Sequence, residues 1–84
     1  MSDMHKYIIY YQDGTVEEGH RANPFNLSEL QGIVDGRITL LEAIVDDIQG
    51  FIIVCEDGLY KFPPNVSSPE FYGNILFIDK KLME

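Results

Sequence analysis

The sequence contains no tryptophan, one cysteine, and 6 lysines and arginines against 14 aspartates and glutamates in 84 residues. With Cys55 alone, no disulfide can form within the chain, which favours a reducing compartment. The formal charge of -8 sets up a field that repels phosphate backbones and anionic lipid. Direct binding to nucleic acid or membrane is therefore disfavoured. The charge suits a basic or nucleic-acid-binding protein as partner, and it also serves plain solubility. Long apolar runs are missing too: Tyr7 to Tyr11 and Phe51 to Cys55 fall far short of the roughly 20 residues that cross a bilayer. Met1 to Lys6 holds no apolar stretch of signal-peptide length, so the expected location is the cytoplasm.

What is present is an ordinary globular composition, 45% hydrophobic and 24% charged, in a chain long enough for a single domain spanning residues 1–84. A chain of this size buries only about 60% of its unfolded surface, so its core is thin and self-association is expected to help it. Met4 to Gln12 reads as a strand of β-branched and aromatic residues that stops at the hairpin signal Asp13-Gly14. Thr15 to Glu18 returns as an edge strand, and Gly19 to Pro24 breaks the pattern. Asn26 reads as a helix N-cap with Glu29 closing a capping box. Leu27, Leu30, Ile33 and Val34 then share one face, and Gly36 supplies a left-handed stop. Arg37 to Val45 and Phe51 to Glu56 read as paired strands separated at Gln49-Gly50, the second covered on both faces. Asp57-Gly58 is read as a turn into a strand, Leu59 to Phe62, which Pro63-Pro64 ends for want of N–H groups. After a loop to Pro69 come a last strand, Asn74 to Asp79, and a short charged tail. The class is α+β: an antiparallel sheet of about five or six strands with one short helix packed on one face.

No catalytic motif emerges. Cys55 lies in an apolar strand, where burial raises a thiol's pKa, and Ser2, Ser28, Ser67 and Ser68 have no neighbouring base in the sequence pattern. His5 and His20 flank the first hairpin without a ligand spacing, and Asp46-Asp47 followed by Gly50 lacks the alternating carboxylates of a calcium loop. The expectation is no enzyme activity, no metal and no cofactor. Two binding features remain. One is the aromatic and amide cluster around Pro63-Pro64, comprising Tyr60, Phe62, Asn65, Tyr72 and Asn74, with Arg37 as an anion-binding candidate. The plainer account of that loop is that its prolines rigidify it and Asn65 bonds its own backbone. The other is the set of acidic pairs Asp46-Asp47 and Glu56-Asp57, which in a row would imitate a DNA backbone, though turn chemistry also accounts for them.

From the helix onward the order of motifs resembles a family of small uncharacterised domains of phages, plasmids and bacteria. The matching pieces are Leu30-Gln31-Gly32-Ile33-Val34-Asp35-Gly36, Ile38, Val54-Cys55-Glu56-Asp57-Gly58-Leu59, Pro63-Pro64-Asn65 and Tyr72-Gly73-Asn74-Ile75. Family members commonly carry an acidic residue after the position of Ile38, where this chain has Thr39. The resemblance implies a mobile-element protein in a bacterial cytoplasm. Small acidic phage proteins often act on the host, by capping a defence protein or by sequestering a nucleotide signal. Capping ranks first, since the charge opposes an anionic ligand. Sequestering in an oligomer, with Arg37 or Lys61 meeting phosphate, and DNA mimicry are the alternatives.

Overall fold

Two hairpins and a closing strand build the sheet. In the computed structural model, which describes residues 4–83, β1 (His5–Tyr10) and β2 (Val16–Arg21) pair antiparallel across the Asp13-Gly14 turn. The Tyr11 N–H donates to the Thr15 carbonyl at 2.8 Å and the Asp13 carboxylate accepts the Thr15 N–H at 2.9 Å, which secures this turn. β2 does not stop at Gly19. It runs on to Arg21 because the full length of β1 is available for pairing and the Tyr7 ring lies across Gly19.

The helix α1 (Leu27–Val34) starts as its sequence dictates. Asn26 accepts the Glu29 N–H at 2.9 Å and Glu29 accepts the Asn26 N–H at 3.1 Å, a complete capping box. Arg21 grips the Glu29 carboxylate at 2.8 Å, tying the end of β2 to the start of the helix. That guanidinium holds the Glu29 carboxyl below its ordinary value. Leu30 and Val34 enter the core, whereas Leu27 is exposed, because Phe25 already fills the core beneath the helix start, edge-on to Tyr7. Asp35, not Gly36, takes the left-handed conformation (φ 58°), a geometry aspartate tolerates better than most side chains.

β3 (Ile38–Val45) and β4 (Ile48–Cys55) form a hairpin whose two-residue turn is Asp46-Asp47, not Gln49-Gly50. Both aspartates have positive φ (51° and 63°), the requirement of the hairpin turn whose twist matches its strands. Gly50 instead sits inside β4, where a Cβ would collide with the Ile78 carbonyl. β5 (Ile75–Asp79) then inserts between β1 and β4, giving the order β2-β1-β5-β4-β3, all antiparallel. Leu59 to Phe62 is not a strand. Gly58–Lys61 is a single-turn helix, α2, since both flanks of β4, the strand that a tight turn here would pair it with, are occupied by β3 and β5, and Pro63-Pro64 cannot extend a ladder. The charged tail is not free either: Lys80–Leu82 forms a 3-10 turn that inserts Leu82 fully into the core, and its carbonyl accepts the Phe25 N–H at 2.8 Å.

The main core lies between α1 and one face of the sheet, where Ile9, Leu30, Val34, Ile53, Leu76 and Ile78 meet. On the other face Ile8, Val54, Ile75 and Phe77 are also buried, although no helix covers them. The sheet coils over this face. Lys6 on β1 reaches Asp46 at the tip of the β3–β4 hairpin at 3.0 Å, and Glu18 on β2 at 2.9 Å. These hydrogen bonds raise the Lys6 pKa above its ordinary value. β4 is therefore an interior strand with apolar residues on both faces, as its unbroken Phe-Ile-Ile-Val-Cys run predicts. Among the described residues no helix is long and apolar enough to cross a membrane.

Candidate binding surface

The end of the molecule that carries α2 also carries the C-terminal end of α1 and the entry to β3. Gly58 opens α2 because a Cβ there would come within 2.7 Å of the Tyr72 carbonyl, so only glycine lets the two segments touch. The turn closes through Tyr60 N–H to the Asp57 carbonyl at 3.0 Å and Phe62 N–H to the Gly58 carbonyl at 2.9 Å. Lys61 donates to the Asp35 carbonyl at 3.1 Å, placing a cation on the carbonyl-rich end of α1 and clamping α2 against it. The outer side of this clamped turn is apolar: Tyr60 is 86% exposed and Leu59 58%. Beside it the Arg37 side chain is 79% exposed, with the Glu56 carboxylate at 4.0 Å.

Of the residues singled out from sequence, Arg37, Tyr60, Phe62 and Tyr72 thus come to one end of the fold. Phe62 and Tyr72 are half-buried props beneath the turn. Asn65 and Asn74 have a different place. Asn65 is fully buried, and its amide donates to the Tyr10 carbonyl at 2.9 Å and the Gly73 carbonyl at 2.8 Å. Its oxygen accepts from the N–H groups of Ser67 and Ser68 at 2.9 and 3.2 Å. The Asn74 oxygen accepts the Gln12 N–H at 2.9 Å, and its nitrogen donates to the Ile33 carbonyl at 3.1 Å. Both amides pin the Pro63–Asn74 excursion to the sheet and to α1. Asn65, at zero exposure, cannot present its side chain to a partner, so the binding role expected of it is not supported.

The acidic pairs are not brought together. Asp46-Asp47 and Glu56-Asp57 flank opposite ends of the eight-residue β4, roughly 30 Å apart at about 3.3 Å per residue. His5 and His20 also stay apart, since His5 opposes Arg21 and His20 opposes Lys6, so the two imidazoles fall on opposite faces of the sheet. Cys55 is buried in the core cluster. Among the described residues no group of three or more His, Cys, Asp or Glu is placed to hold a metal ion. Ser2 lies outside the described residues.

The feature least visible in sequence is the outer edge of β3. Leu40, Leu41 and Ile44 are 42%, 40% and 67% exposed on a strand that carries one charge, Glu42. A groove of about 620 Å³ runs beside it, lined by Glu42, Ile44, Gln49, Phe51 and Lys80 among others. The Arg37–Val45 run announces a strand, but its place at the edge depends on β5 pairing between β1 and β4, which no local pattern encodes. Comparisons with family models, with curated proteins and with solved structures find no match to this chain.

Proposed function

We propose that this is a non-enzymatic binding domain that acts by protein–protein contact, on a host protein in a phage or mobile-element setting, with the α2 turn as its contact point. The observation that carries the reading is the Leu59-Tyr60 pair, exposed side by side on a turn tied down by the bond from Lys61 to the Asp35 carbonyl. Tyrosine and arginine are prominent among residues that dominate binding energy, and here an exposed tyrosine and leucine are rimmed by charged side chains. Arg37 borders the turn, and Phe62 and Tyr72 hold it in place. A net charge of -8 favours a basic partner surface and fast association with it.

The reading is tested with the full chain as bait in extract of the host cell, followed by native mass spectrometry of what is retained. A Tyr60→Ala variant is expected to keep its fold and lose the captured protein. Equal capture by wild type and Tyr60→Ala refutes the assignment of this surface. A nucleotide-sized anion retained by an oligomer in place of a protein would favour signal sequestering, with Arg37 and Lys61 as the cations at this end.

A further inference from the structure

The two edges of the sheet are built differently. β2 presents Glu17, Glu18, His20 and Arg21 within six residues, a charged edge of the kind that discourages pairing. β3 presents eight residues with neither proline nor lysine, and Glu42 as its single charge. Its outward hydrogen-bonding groups can be assigned. The Glu56 N–H donates to the Arg37 carbonyl at 2.8 Å in the register that pairs Ile38 with Cys55. Odd-numbered residues of β3 therefore bond to β4, and Ile38, Leu40, Glu42 and Ile44 turn their N–H and C=O groups to the open edge.

We propose that β3 pairs antiparallel with β3 of a second copy about a two-fold axis at Leu41, joining two sheets into one of ten strands. Three features of the strand select this occupant and this register. Centred on Leu41, Ile38 opposes the partner's Ile44 and Leu40 opposes the partner's Glu42, so all four outward-facing residues find counterparts and exchange about eight backbone hydrogen bonds. Centring on Glu42 would set the two carboxylates face to face, whereas the Leu41 register places each beside a leucine. The ends of the strand are charge-complementary in the same sense. Arg37, whose only ion pair among the described residues is the 4.0 Å contact with Glu56, would oppose the partner's Val45 next to the partner's Asp47 and the partner's Asp46, which also holds Lys6 of its own chain. A cation at one end of the strand and two acids at the other match only when the second strand runs antiparallel. The apolar contact would be Leu41 on Leu41 at the axis, with Ile38, Leu40 and Ile44 packed on the helix side. Such a contact is at the small end of specific interfaces, below about 1,200 Å², so a dimer in exchange at micromolar concentration is expected.

Sedimentation velocity of the full chain from micromolar to millimolar concentration reads the assembly, with the dimer at twice 9.6 kDa. Wild type is expected to dimerise as concentration rises, Arg37→Glu to weaken the dimer at least tenfold, and Leu41→Lys to stay monomeric with an unchanged circular dichroism spectrum. The register is read by cross-linking. Opposed Leu41→Cys residues would form a non-hydrogen-bonded pair about 4.5 Å apart at Cα, within disulfide reach. Two copies of Leu40→Cys would lie diagonally, about 7–8 Å apart, and out of reach. Rapid oxidation of Leu41→Cys to a covalent dimer, with Leu40→Cys and wild type remaining monomeric on the same gel, supports the proposal even where Leu41→Lys fails to fold. A wild-type chain that is monomeric throughout, a dimer indifferent to Leu41→Lys, or equal cross-linking at both positions overturns it.

Discussion

Replacing Asn65 with alanine should be among the most damaging single changes in this protein, although no apolar contact of consequence is lost. The side chain is fully buried and makes four hydrogen bonds, all to backbone groups: two carbonyls, of Tyr10 and Gly73, and two N–H groups, of Ser67 and Ser68. At a net value near 1 kcal/mol each, with a further penalty for a buried carbonyl left unmatched and partial relief from entering water, the expected loss is about 3–4 kcal/mol. A domain of this length has a total stability of about 4–12 kcal/mol, so the variant would retain little margin. In melting temperature the drop is roughly 15–25 °C. Urea unfolding followed by circular dichroism checks it, and an unchanged slope with a lower midpoint would show that the native state alone was weakened. Asn65→Asp should be at least as harmful at neutral pH, because a carboxylate would face two carbonyl oxygens. It should partly recover on acidification, when the acid can donate one of the two bonds. A loss below about 1 kcal/mol for Asn65→Ala would refute the reasoning and return the loop to the pool of candidate binding elements.

Two other changes test the fold. Gly50→Ala puts a methyl group into the Ile78 carbonyl and should cost more than about 3 kcal/mol, or prevent accumulation of folded protein, since the obstacle is backbone and cannot rotate away; a soluble Gly50→Ala with near-native urea midpoint would show that β4 and β5 are not so closely apposed. The Glu29 carboxyl is held below its ordinary value of 4.5, chiefly by Arg21 and then by the Asn26 N–H. Its contribution is therefore complete above pH 4.5 and fades as pH falls through the depressed folded value, because the unfolded chain takes up the proton first. Arg21→Ala should flatten that part of the stability–pH curve in acid titrations, and an unaltered curve would mean the pair is inert.

The parts of the fold that were legible from sequence are those fixed within a few residues. The capping box at Asn26 and Glu29 needs only a four-residue motif, and Asp13-Gly14 between two β-prone runs defines its own hairpin. The unbroken apolar run of β4 gave its interior position away, because only a doubly covered strand has no need of polar alternation. The errors cluster where distant chain decides. Gly50 looked like a turn residue, yet it is glycine because the Ile78 backbone, 28 residues on, passes against it, and the real turn uses two aspartates that tolerate positive φ. Tyr60 and Phe62 alternate as in a strand, but a tight turn at Asp57-Gly58 would pair them with β4, and both sides of β4 are taken by β3 and β5. Leu82, in a tail of lysines and acids, is drawn into the core by the Phe25 segment, a contact across 57 positions. For the candidate site the division is similar. The structure brings exposed Tyr60 and Arg37 to one end, which no local pattern encodes, while Asn65 and Asn74 carry the same side chain whether they face a ligand or pin a loop, and only the geometry separates the two.

The asymmetry of the sheet edges also bears on why an exposed aliphatic strand would be compatible with a well-behaved protein. An edge such as β3 recruits any extended chain, and head-to-tail recruitment by β2 would propagate without end. Here β2 is a poor antiparallel recipient: Glu17 and Glu18 would meet the Asp46-Asp47 turn of an incoming β3 and Arg21 would meet its Arg37, like charge against like at both ends. Pairing of β3 with its own copy is the arrangement in which charge assists, through Arg37 and the opposed aspartates, and it consumes both unguarded edges at once. The product would expose only two β2 edges, so assembly would stop at two. The charge of -8 on each chain would then act between dimers as a long-range repulsion, while at the strand itself the local pattern, not the net charge, decides what pairs.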